Sequence, residues 1–135
     1  MSLTIIRAAL ENRLAALTPA LATSYENAVF TPVNDVPYQR VSLLPANPDN
    51  SMAGSKTYLE VGIFQVTLCY PIKAGTAAAS TKAEAVRTHF KRGTSLVESG
   101  LTVLITNTPR LSPAMVEGGR YCIAVSVTYQ TQIST

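Results

Sequence analysis

RYCIAVSVTYQTQ, residues 120–132, alternates side by side along its whole length. Tyr121, Ile123, Val125, Val127 and Tyr129, with Ile133 beyond, fall on one side, while Cys122, Ala124, Ser126, Thr128, Gln130 and Gln132 fall on the other. Successive side chains of an extended chain point to opposite faces, so this period of two predicts a strand with one apolar face. Its other face is small and uncharged. Glu117-Gly118-Gly119 supplies a tight turn into it.

Thr57 to Tyr70 predicts the longest strand. Leu59, Val61 and Ile63 lie on one of its faces and Phe64, Val66 and Leu68 on the other, so it is central in its sheet or meets a partner with its second face. Further strands are expected at Ser24–Phe30, closed by Thr31-Pro32, and at Pro37–Leu44, closed by Pro45; proline cannot donate to a ladder, so each stop has a physical cause. Leu101–Ile105 and a short piece at Arg110–Ser112 complete about six. Two segments have the helical period instead. Leu3, Ile6, Leu10, Leu14 and Leu17 form a stripe ended by Thr18-Pro19, too short for a coiled coil and suited to packing on a sheet. Ala79, Ala83, Val86 and Phe90 form another, and Gly93 follows where a left-handed residue closes a helix. The expected fold is a single α+β domain over residues 1–135, a mainly antiparallel or mixed β-sheet of about six strands with two amphipathic α-helices packed on one face.

Two surfaces are candidates for contact with other molecules. PANPDNSMAGS, residues 45–55, lacks bulky apolar anchors, so Ala46, Asn47, Pro48, Asp49, Asn50, Ser51 and Met52 read as a long loop available for assembly. Ser126, Thr128 and Gln130 mark the uncharged face of the last strand, which reads as an oligomer contact or as plain solvent-facing sheet.

Composition agrees with an assembling protein. The chain has 135 residues, 47% hydrophobic and only 14% charged, against roughly 25% charged in an average globular domain. A core can form without cross-links, but the surface is poor in the charge that keeps monomers apart. A net charge of +3, scattered over Arg7, Arg13, Arg40, Lys56, Lys73 and Arg110, requires no specific nucleic-acid partner. The early Arg7, Glu11 and Arg13 argue against a secretory signal, and no apolar run is long enough to span a membrane. Cys69 and Cys122 fall inside expected strands and read as buried apolar residues in a reducing cytosol, with a disulfide or a reactive thiol as alternatives.

Chemistry is hard to find. His89 has Arg87, Lys91 and Arg92 for neighbours, which disfavours its protonated form, and reads as part of a solvated helix face. Asp35 and Asp49 sit among Pro and Asn, where aspartates make turns. Glu26 and Glu60 on neighbouring strands are the best carboxylate pair for acid–base work, yet strand glutamates more often face solvent or arginine. No Cys-x-x-Cys, His-x-x-x-His, calcium-type loop or phosphate cradle is present. The cations from Arg87 to Arg92 complement a helix C-terminus and are one possible contact for phosphate. No cofactor, metal or small-molecule substrate is expected.

Several of these segments, in their order, resemble a family of small tail terminator proteins of long-tailed bacteriophages. The resemblance rests on SYENAVFTPVNDVPYQRVSLLPANP at 24–48, the strand ending in Tyr70-Pro71, the Ala-rich helix closing on His89-Phe90-Lys91-Arg92-Gly93-Thr94, and Arg120 to Gln132 after Gly118-Gly119. The family favours Trp before the Glu-Asn pair, where this chain has Tyr25. The resemblance implies a non-catalytic virion protein of a phage or prophage, assembled in the bacterial host cytoplasm. It implies a hexameric ring that seats on the tail tube protein, stops tube growth and faces the head-completion protein, and it allows a subunit that is monomeric when dilute. A head-completion or neck protein of the same virion is the nearest alternative, and a small non-catalytic ligand-binding module is the alternative from another class.

Overall fold

The computed structural model describes residues 2–50, 56–73 and 75–134. Along the chain lie α1 (Ser2–Ala15), β1 (Ala22–Ser24), β2 (Tyr38–Pro45), β3 (Thr57–Pro71), α2 (Ala77–His89), β4 (Ser95–Glu98), β5 (Leu101–Ile105), β6 (Arg110–Leu111), β7 (Met115–Glu117) and β8 (Arg120–Ser134). The strands form one mixed sheet in the order β1-β2-β3-β8-β5-β4, with β6 and β7 also pairing with β8. Only β1 and β2 run parallel; the other pairs are antiparallel. The α+β class expected from the periodicities is therefore the observed one.

All of β3 pairs with β8, from Thr57 opposite Ser134 to Pro71 opposite Arg120. This register puts Phe64, Val66 and Leu68 beside Val127, Val125 and Ile123, and β2 adds Leu43 and Val41 to the same face. Ile6, Leu10 and Leu14 of α1 and Ala79, Ala83 and Val86 of α2, with Phe90 just beyond it, belong to the same buried cluster. Each large apolar side chain so removed from water contributes roughly 1.5–3 kcal/mol, which is why the inner row is apolar almost throughout. Besides the buried Gln39 and Thr131, Gly62 is the exception. A Cβ there would lie 2.5 Å from the Tyr129 hydroxyl and 2.7 Å from the Leu44 carbonyl oxygen, so the Tyr129 ring lies where only glycine leaves room.

Four expectations need correction. The first strand is Ala22–Ser24 rather than Ser24–Phe30: the chain leaves the ladder after Ser24 and turns through Asn27, whose φ is +54°. Leu3, in the first turn of α1, is 42% exposed, so the buried stripe starts at Ile6. β4 and β7 are additional strands. Both are short: β7 is exposed at every position, and the alternation of β4 lasts only four residues with none of them buried, too little for sequence to reveal. Finally, Cys69 and Cys122, opposite one another in the β3–β8 register with Cα atoms 4.2 Å apart, are joined as a disulfide. Their burial was expected; their union depends on a register between positions 53 residues apart, which no local pattern contains.

The turn at Gly118-Gly119 is as expected. Both glycines have positive φ, +57° and +75°, and Glu117 pairs with Arg120, as a two-residue hairpin of the favoured twist requires.

Candidate functional site

The sheet face turned away from the core cluster is built from the other parity of the same strands. Leu44 of β2 stands opposite Ile63, Val61 opposite Gln130, Ile63 opposite Thr128, and Leu104 of β5 opposite Gln130. Leu59, Val61, Ile63, Leu104, Ser126, Thr128 and Gln130 are all half-buried, and Leu44 is 46% exposed. This surface mixes aliphatic side chains with hydroxyls and amides and carries no charge over its central part. Such a face can exclude water against a complementary surface without stranding a buried charge.

The loop named from sequence meets this face. Ala46 donates its amide to the Val61 carbonyl at 2.9 Å, and Asp49 and Leu59 exchange backbone bonds of 2.8 and 2.9 Å. Residues 46–50 are thus held along β3 by main-chain hydrogen bonds, although their side chains are exposed. The sequence reading looked for apolar anchors and could not see this tie. Val61 therefore accepts from Ala46 on one side and stands opposite Gln130 on the other, which brings the two candidate surfaces together across a single strand. Ser51 and Met52 lie outside the described residues. Leu44, Leu59, Val61, Ile63 and Leu104 are the contributors that sequence reasoning did not assign to a site; the two apolar faces of β3 were the available signal.

At the far end of the sheet, loops close over this face. Arg120 donates to the carbonyls of Val33 and Val36 at 2.7 Å each, and its guanidinium lies 5.0 Å from the centre of the Tyr38 ring, which itself packs on Phe30 at 5.2 Å. Arg40 and Glu117 form an ion pair at 3.3 Å nearby. Around this end Val33, Val36, Ile72, Met115 and Val116 stay exposed, bordering a cleft of about 570 Å³ lined by Asn34, Asp35, Ile72, Lys73 and Arg120. Its lining is mixed in charge and contains no convergent acid–base pair.

His89 is not the solvated residue that its neighbours suggested. Its ring Nε2–H donates to the Arg13 carbonyl at 2.6 Å, while the Arg13 guanidinium donates to the His89 carbonyl at 2.8 and 3.1 Å. Each helix thereby donates to a carbonyl near the C-terminal end of the other. Arg87 donates to the Pro109 carbonyl at 3.1 Å, so it too has a structural partner. Burial lowers the pKa of Lys82, which donates to the Pro19 carbonyl, and raises that of Glu11, partly offset by Arg7. Glu26 accepts from the Leu43 amide at 2.7 Å and from Arg7 at 2.6 Å, and these two bonds hold its carboxyl below the ordinary value. Glu60 stands opposite Thr131. Glu26 thus has its own partners, Leu43 and Arg7, rather than a second carboxylate. Among the described residues no group of three or more His, Cys, Asp or Glu side chains is placed to hold a metal ion.

Known proteins resemble this chain in family and in fold. The family model described as phage tail terminator protein matches residues 5–129. One solved structure, labelled only by a sequence identifier, is 28% identical, covers 100% of this chain and 99% of its own, and superposes with a TM-score of 0.79. A second, from the virion of a native gene transfer agent particle, is 18% identical over 98% of this chain and 97% of its own, with a TM-score of 0.65, a likeness of fold. No curated protein matches. The chain belongs to the phage tail terminator protein family, and its role is that of a structural protein of a phage virion.

Proposed function

We propose that this member of the tail terminator family forms a ring on the end of the phage tail tube, stops tube polymerisation and presents the surface to which the head is joined. The carrying observation is the family match, which reaches both helices and every strand and leaves out only the first residues of α1 and the end of β8. The geometry supports the same reading. A ring made by a heterologous contact needs two different patches on each subunit, and the uncharged outer face with its adjoining 46–50 segment is one patch of suitable chemistry. The loop end around Val33, Ile72 and Met115 is a second, at the opposite end of the strands.

In this reading the ring is a homo-hexamer, its other partners are the tail tube protein and the head-completion protein, and its place is the virion tail, reached by assembly in the host cytoplasm. The subunit performs no catalysis. A protein that must wait for a finished tube benefits from a weak self-interface, so it is monomeric when dilute and gathers on the tube end by mass action. Deleting the gene from its phage tests this: tails of irregular length that fail to join heads are expected, and normal infectious particles contradict it.

A further inference from the structure

The edge of the sheet at β2 is only half covered. β1 pairs with Tyr38, Gln39 and Arg40 and then the chain departs, leaving Val41 to Pro45 without a neighbouring strand on that side among the described residues. A bare strand edge is a template for another strand. Here the next rung is supplied by a side chain: Glu26, two residues beyond the end of β1, accepts the outward Leu43 amide at 2.7 Å and is itself fixed by Arg7 at 2.6 Å. The rung after that needs no acceptor, because position 45 is proline and has no N–H.

We infer that Glu26 is an edge guard, a carboxylate standing in for a missing strand, and that the surface it closes is a pairing site for a second copy of this chain. The stretch from Val41 to Pro45 carries no charge, so nothing in it repels an identical antiparallel copy, and a two-fold pairing of this edge with itself buries Leu44, which is 46% exposed in the single chain. Such pairing joins two subunits and covers this edge of both, leaving the opposite edge at β4 untouched. The guard keeps the edge closed while subunits are free in solution. This inference stands without the ring proposed above, since it concerns the edge of the free chain, which shares Leu44 with the outer face.

The test compares Glu26→Leu, which removes the acceptor, with Glu26→Gln, which keeps an oxygen acceptor and gives up the charge. At a concentration where the wild type sediments as a monomer, the leucine variant is expected to at least double its weight-average mass, while the glutamine variant stays monomeric. Adding Ser42→Lys to the leucine variant places a charge on the open edge and is expected to restore the monomer. A folded leucine variant with wild-type mass overturns the inference, as does association that the lysine leaves unchanged. In the unmodified protein, the Leu43 amide should exchange with solvent at least tenfold more slowly than the amide of exposed Asn27; equal rates overturn the inference whether or not any variant folds.

Discussion

One strand, β8, has two faces that obey different rules. On its inner side Val125, Val127 and Tyr129 are fully buried, and on its outer side Ser126, Thr128 and Gln130 are half-buried within the single chain. The inner row is defined by what it packs against, Phe64, Val66 and the helices. The outer row is defined by what it lacks: it is neither apolar enough to need a covering helix nor charged enough to be at home in water. The contrast assigns stability to one face and association to the other, and each assignment can be tested separately.

The largest effect belongs to the inner face. Phe64 is fully buried, with its ring 5.9 Å from that of Phe90, so Phe64→Ala should lower stability by about 3–5 kcal/mol in urea unfolding. Gly62→Ala sharpens the point with one added methyl group. It lies in the same register row, and its Cβ meets the Tyr129 hydroxyl and the Leu44 carbonyl, so a loss of about 1–3 kcal/mol is expected from overpacking. Unchanged midpoints for either variant break the assignment of the inner face.

Away from both faces, His89→Ala tests the mutual capping of the helices. Removing the ring takes from the Arg13 carbonyl the shorter of its two bonds, the other coming from the Ala16 amide at 3.2 Å, and a loss of about 1 kcal/mol is expected. Where the two faces meet at the β2 edge, Glu26 makes stability depend on acidity. Its pKa is below the ordinary 4.5 in the folded chain, chiefly through the Leu43 amide and then Arg7. A folded-state pKa below the unfolded one gives stability that is complete above the unfolded value and fades as pH falls through the folded value. Glu11, raised by burial, acts in the opposite sense, so the informative quantity is the difference between wild type and Glu26→Gln. That difference should shrink on acidification below about pH 4.5; a constant difference down to full protonation contradicts the role given to the carboxylate.

The parts of the fold visible in the sequence are those whose burial is periodic. β3, β8, β5 and α2 could be read from spacing because each has a face pressed into the core. β1 could not be bounded, since YENAVF has strand-like residues but the chain turns at Asn27 and only the Glu26 side chain continues the ladder. The site was half legible. Ser126, Thr128 and Gln130 were visible as an uncharged row, and Ala46 to Asn50 as a segment without anchors, but their adjacency depends on Val61, which is bonded to one and paired with the other. Cys69 with Cys122, and Arg13 with His89, are contacts between distant positions. Residue type alone suggests an apolar thiol and a solvated imidazole there, and the fold makes each a partner.

The smallest expected effect on folding carries the central claim. Thr128→Glu puts a charge in the middle of the outer face, opposite Ile63, at a position outside the packed core, so its unfolding free energy should match the wild type within about 0.5 kcal/mol. Light scattering over roughly a hundredfold range of concentration is the direct measurement, because an interface of micromolar strength passes from monomer to assembly within it. The account predicts a wild-type mass that rises toward a closed ring and a Thr128→Glu mass that stays at the monomer. Identical mass curves for the two folded proteins contradict it.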